Sequence, residues 1–173
     1  MTDGLLLPPG AGRRIQTMTL KAGADQSKIW SAFEAEVAPG FDVGAHLHQQ
    51  AEEVFYVLEG ELDLLAFHPA ASAGASGDWR TWESETGARV FRGGPGSFMQ
   101  VPAGCPHAFF NPGSSPARML FLVSPAGHEI YLQELADLLA AGGPPDQAGI
   151  AALRRRHDIH QLTPLANHRG GGS

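Results

Sequence analysis

Residues 40–60 read GFDVGAHLHQQAEEVFYVLEG, and the placement of the histidines and glutamates in this stretch decides how the chain is read. A half-buried strand alternates apolar and polar residues. Here two histidines stand a residue apart and two glutamates stand side by side. If residues 43–48 are extended, His46 and His48 project from the same face. Glu53 follows His48 by five residues, an odd spacing that would aim it the opposite way in an unbroken strand. A bend or bulge at residues 49–51 returns it to the histidine face. With that parity Glu53, Phe55 and Val57 point inward together, and Glu52 points outward with Val54 and Tyr56.

Short segments rich in β-branched and aromatic residues flank this stretch, punctuated by 22 glycines and 13 prolines. That pattern predicts many short strands in a sandwich or barrel. Around residues 28–39 Phe33, Ala35 and Val37 share one face, and Trp30, Glu34 and Glu36 share the other. Further strands are expected at 52–58, 61–67, 81–83, 89–91, 97–101, 107–110 and 117–123, with Glu59 and Gly60 turning between the first two. Residues 14–20 are an N-terminal edge strand. The small-residue run HPAASAGASG at 68–77 cannot bury a strand face and reads as an exposed insertion.

Past residue 124 the period changes. Tyr131, Leu135, Leu138 and Leu139 recur at helical spacing, Gly142 and Gly143 supply a stop, and Pro144 and Pro145 block continuation. A second helix is expected from Asp146 as N-cap through Ile150 and Leu153 to Arg156. Arg154, Arg155 and Arg156 suggest an anion clamp, but the preferred reading is cations solvated at a helix C-terminus, where the dipole favours them.

The 173 residues, 43% hydrophobic, suit one sizeable core and predict one domain. Twelve basic against 18 acidic residues give a net charge of −6, which repels phosphate backbones and anionic membranes and argues against nucleic-acid and membrane partners. The apolar run Leu5, Leu6, Leu7 is closed by Pro8 and Pro9 and is too short for a signal peptide or a span, so a cytoplasmic location is expected. The single cysteine, Cys105, excludes an internal disulfide and a cysteine-built zinc site. No basic neighbour is visible to lower its pKa, which favours a buried thiol over a redox role.

A third histidine of interest, His107, lies in GSFMQVPAGCPHAFFN, residues 96–111. The first stretch reads G-x5-H-x-H-x4-E-x6-G through Gly40, His46, His48, Glu53 and Gly60. The second reads G-x5-P-x-G-x2-H-x3-N through Gly96, Pro102, Gly104, His107 and Asn111. Together they resemble the two signature motifs of the cupin superfamily, with every named position filled. The resemblance implies an all-β fold, a cupin jelly-roll barrel or sandwich, and the C-terminal α-helices read from the helical spacing are compatible with it. It also implies that His46, His48, Glu53 and His107 hold one metal ion. Three imidazoles and a carboxylate suit Fe, Mn, Co, Ni, Cu or Zn and leave positions open on a five- or six-coordinate ion. The expected organisation is an arm over residues 1–27, a cupin barrel over 28–124, a helical segment over 125–168 and a flexible tail or appended linker over 169–173.

Phe55, Phe98, Met99, Phe109, Phe110 and Phe121 are candidates for an apolar pocket around the ion, with plain core as the competing reading. His68, His128, His157, His160 and His168 stand outside the motifs and receive no role, although His128 could reach the barrel mouth. Within the superfamily the chain resembles bacterial quercetinase-like single-domain cupins. That likeness implies a metal-dependent dioxygenase acting on a small aromatic or phenolic, flavonol-like substrate with O₂. Glu53 would be the catalytic residue that takes the substrate proton. A metal-dependent polyketide cyclase or isomerase that uses no O₂, and a non-enzymatic small-molecule-binding cupin, are the alternatives. The resemblance further implies a homodimer.

Overall fold

The computed structural model describes residues 3–71, 77–140 and 146–163. Its strands in chain order are β1 Arg13–Ile15, β2 Met18–Ala22, β3 Ser31–Val37, β4 His46–Leu47, β5 Glu52–Glu59, β6 Leu62–Ala66, β7 Phe91–Gly93, β8 Phe98–Val101, β9 His107–Phe110, β10 Ala117–Ser124 and β11 His160–Gln161. They build two sheets, a larger one in the order β1-β2-β3-β10-β5-β8 and a smaller one in the order β11-β4-β9-β6-β7. Every pairing is antiparallel.

Period-two patterning explains why the sheets face each other. In β10 every second residue, from Ala117 through Val123, is buried; in β3 Phe33, Ala35 and Val37 are buried while Glu36 is exposed. Phe121 stacks on Phe33 at 5.4 Å and on Phe55 at 5.0 Å between centroids, so neighbouring strands of the larger sheet share one aromatic seam. Each ring so buried contributes about 1.5–3 kcal/mol relative to an exposed one. On the outer face Glu34 pairs with Lys21 and Arg118, and Arg118 also reaches Glu59. Solvent screens these pairs, and they mark the wet side of the sheet more than they stabilise it.

Four details depart from the sequence reading. The edge strand expected over 14–20 is a hairpin of β1 and β2, because Gln16 adopts a positive φ of 52° and reverses the chain. No strand forms over 81–83. The Asp78 carboxylate accepts from the Arg80 N–H and opens a 3₁₀ turn, Trp79–Thr81, leaving Glu83 a single bridge to Arg89. The strand expected at 89–91 starts two residues later, as β7. The turn at Glu59 and Gly60 forms, with Gly60 at φ 75°, but β5 and β6 enter different sheets and do not pair.

Trp79 and Trp82 pack with Ala45, Leu65 and Ala108 in a second small core on the outer face of the smaller sheet, and Trp79 Nε1 donates to Asp42. Residues 72–76 of the small-residue insertion lie outside the described residues. Two helices follow β10: α1, His128–Ala140, and α2, Gln147–Arg156. Asp146 caps α2 as expected, accepting from the Ala148 N–H. The glycine and proline stop at residues 142–145, His168 and the tail at 169–173 lie outside the described residues. Among the described residues no helix is long and apolar enough to cross a membrane.

Candidate metal centre

The sheets meet around four buried polar side chains. His46 on β4 stands in register with His107 on β9, their ring centroids 4.2 Å apart. His48 follows β4 directly, and Glu53 comes from β5 in the opposite sheet. Glu53 Oε2 lies 2.8 Å from His107 Nε2, and Oε1 lies 3.1 Å from His48 Nε2. One ligand atom from each of the four residues falls within 4.8 Å of all the others. The expected parity is what the structure shows: Glu53 is 3% exposed, whereas Glu52 is exposed to solvent.

The second nitrogen of each ring fixes its tautomer. Nδ1 of His46 lies 2.8 Å from the Gly44 carbonyl, Nδ1 of His48 lies 2.9 Å from the Asp158 carbonyl, and Nδ1 of His107 lies 3.1 Å from the Cys105 carbonyl. A carbonyl only accepts, so each Nδ1 carries the proton and each neutral ring turns a lone pair on Nε2 inward. The Nε2 atoms of His48 and His107 are buried with no hydrogen-bond partner. Three inward lone pairs against a carboxylate repel one another unless a cation stands among them. The donor set therefore fits a divalent transition metal.

Burial would raise the Glu53 pKa, but where Nε2 of His107 and His48 carries a proton in place of a metal, these rings outweigh it and hold the carboxyl well below the usual carboxylate range; a bound cation would take the place of those protons. Burial, followed by the charges of His107 and Arg154, pushes His46 well below the ordinary imidazole value. Burial also acts to lower His48, but Glu53 overrides it and the net shift is upward. The site therefore keeps one anion beneath the imidazoles.

The bend at residues 49–51 has a physical cause that the sequence reading missed. The Asp158 carboxylate accepts from the backbone N–H groups of Gln49 and Gln50, at 3.0 and 2.8 Å. Asp158 itself sits at φ 59°, just beyond α2, where the chain turns back to pair β11 with β4. A further bond, from the Gly104 N–H to the His48 carbonyl at 2.6 Å, ties the turn before His107 to the first motif.

An apolar cavity of about 420 Å³ opens onto Glu53 and His46. Phe55, Phe109 and Phe121 lie in its wall. Phe98 does not: it is 63% exposed on the outer face, opposite Tyr56. Met99 is buried in the core, outside the cavity wall, and Phe110 packs with the second core beneath Arg80. The error with Phe98 is one of parity, since Met99 is the inward residue of β8. Burial raises the Cys105 thiol pKa, in keeping with a buried thiol.

The helices close the cavity with residues that no motif marked. His128, at the start of α1, packs edge-on to Phe121 at 5.4 Å and to His48 at 6.3 Å, and burial lowers its pKa to about 4. Tyr131 and Leu132 of α1 and Arg154 of α2 also line the cavity. Arg154 corrects the expectation of three solvated cations: Arg155 and Arg156 are exposed, whereas Arg154 is buried. The helical period placed Leu153 inward and would have shown its neighbour at the edge of that face.

The family model described as Cupin matches residues 10–140. The chain belongs to the cupin family. Its all-β architecture, two facing sheets followed by two helices, is the cupin fold that the paired motifs implied. No curated protein matches this cupin. Among solved structures it is similar to TT1209 from Thermus thermophilus, at 23% identity and a TM-score of 0.46, covering 66% of this chain and 90% of that one. It is also similar to BH2720 from Bacillus halodurans, at 15% identity and a TM-score of 0.50, covering 67% and 75%. A third is described as a predicted oxalate decarboxylase from Thermotoga maritima, at 17% identity and a TM-score of 0.47, covering 62% and 78%. At such identities likeness speaks to fold alone.

Proposed function

We propose that this cupin is a metal-dependent dioxygenase of a small aromatic or phenolic substrate, with His46, His48, Glu53 and His107 as the metal ligands. The observation that carries this reading is the convergence of three Nε2 lone pairs and one carboxylate at the end of an aromatic-walled cavity. A divalent transition metal held there would polarise a bound hydroxyl oxygen and offer open positions to O₂. Phe55, Phe109 and Phe121 present ring faces and edges to a planar substrate and keep bulk water from it. Glu53, kept anionic, accepts the proton of the substrate hydroxyl. The Nδ1–carbonyl bonds hold the three imidazoles in place while that proton moves.

The test is oxygen consumption with flavonols and catechol-like phenols after reconstitution with Fe, Mn, Co or Ni. Uptake coupled to substrate loss is expected with at least one of these metals. No uptake with any metal and phenol pair would overturn the dioxygenase reading. Substrate turnover that continues without O₂ would assign the same ligands to a cyclase or isomerase, and unchanged ligand would assign them to a binding module.

A further inference from the structure

Arg154 is the one buried cation of the described residues, at 8% exposure, and its Nε has no hydrogen-bond partner. Among the described residues neither an ion pair nor a hydrogen bond engages its guanidinium. Its neighbours on α2 differ: Arg155 is exposed, and Arg156 pairs with Glu134 at the surface. Of the three, Arg154 alone is buried and lines the cavity that holds His46 and Glu53, and it also borders an outer cleft formed with Arg155, His160 and Gln161.

A buried guanidinium without a counter-ion costs several kcal/mol. Packing does not require that charge, since Ile150 and Leu153 already anchor α2 in the protein interior. The wall also carries the carboxylates of Asp42 and Glu53, but neither forms an ion pair or a hydrogen bond with Arg154 among the described residues, and the rest of the wall is dominated by apolar side chains. A ligand anion entering the cavity would neutralise Arg154, and a planar carboxylate matches the guanidinium fork with two parallel hydrogen bonds.

From this we infer that Arg154 is a substrate-binding residue that receives a carboxylate, so that the cavity takes an aromatic carboxylic acid with its ring against Phe55, Phe109 and Phe121. The inference rests on the proposed function for placing the substrate in this cavity, and it narrows the substrate class to aromatic acids bearing a hydroxyl for the metal end. Arg154 lies outside the four-residue ligand set, so its role is separable from metal binding.

The test uses benzoate and benzamide, equal in shape and different in charge, titrated by calorimetry into the metal-free and zinc-loaded protein under argon. Benzoate is expected to bind at least tenfold more tightly than benzamide in both forms. Arg154→Gln should bring benzoate to the benzamide affinity while leaving benzamide within twofold of its original value. Arg154→Lys, which keeps the charge and loses the fork, should weaken benzoate by about threefold or more and leave benzamide unchanged; it also decides the matter if the glutamine variant does not fold. Equal binding of the two probes to the unaltered protein would overturn the inference. So would a benzoate preference that survives Arg154→Gln, which would place the carboxylate on the metal, or benzoate binding unchanged by Arg154→Lys. Because no step involves O₂, loss of the dioxygenase reading in the uptake assay would leave this result standing.

Discussion

The carbonyl oxygen of Asp158 accepts a hydrogen bond from Nδ1 of His48 at 2.9 Å, across 110 positions of sequence. The same residue's carboxylate holds the N–H groups of Gln49 and Gln50. One residue beyond the second helix thus fixes both the tautomer of a proposed ligand and the bend that returns Glu53 to the site.

Asp158→Gly tests this coupling, because glycine accepts the positive φ and retains the carbonyl while removing the carboxylate. Loss of charge-assisted bonds of this kind costs about 1.5–3 kcal/mol each. We expect a lower Tm and metal affinity reduced by about tenfold. Competition titration with a chromophoric chelator measures the affinity; an unchanged value would show that the bend stands without Asp158.

The adjacent glutamates separate by parity. Glu53→Ala removes the only carboxylate among the described residues that groups with the three imidazoles, and metal affinity should fall by about 100-fold or more, beyond the typical effect of losing an outer partner. Glu52 is exposed, and Glu52→Ala should change affinity by less than about twofold. Equal losses in the same titration would refute the division.

Glu129 provides a pH-dependent tie between the N-terminal segment and α1. Its carboxylate accepts from Ser31 Oγ and from the Ala24 N–H, both at 2.6 Å. Burial acts to raise its pKa, but these bonds outweigh it and the folded value lies below the ordinary 4.5. A depressed carboxylate contributes its full stabilisation above the unfolded pKa and loses it as pH falls through the folded one. Tm should therefore drop below about pH 4.5, and Glu129→Gln should lower Tm at pH 7 while flattening that acid limb. Parallel limbs for the two proteins in thermal scans from pH 7 to pH 3 would contradict the assignment.

Gly60 crosses between the sheets at φ 75°, and a Cβ placed there would stand 2.9 Å from the Ala117 Cβ. Gly60→Ala combines left-handed backbone strain with that contact and should destabilise the fold by about 2 kcal/mol or more. For a chain of this length that is a Tm loss of roughly 4–8 °C by calorimetry. Metal affinity of the folded variant should be unaffected, since the turn lies at the far end of β5 from Glu53.

Local chemistry made much of this protein legible in advance. Strand parity around His46, His48 and Glu53, the Asp146 cap and the helical spacing of Tyr131 and Leu135 depend on residues close together in sequence, and each appears in the fold. The failures have the same origin. Gln16 reverses a strand that propensity would continue, Asp78 starts a helical turn where β-formers suggest a strand, and an inward Phe98 conflicts with the parity set by Met99. Burial of Trp79 against Ala45 and Leu65 involves partners distant in sequence, which no local pattern encodes. The sequence by itself carried two short motifs whose resemblance to the cupin signatures implied the four converging side chains, and strand periodicity placed His46 and His48 on one face. Only the tertiary structure decided that Asp158 holds the bend and that Arg154, alone of three consecutive arginines, is buried and lines the cavity. Both depend on how the second helix docks across the barrel mouth, and that docking follows from long-range packing of its apolar face.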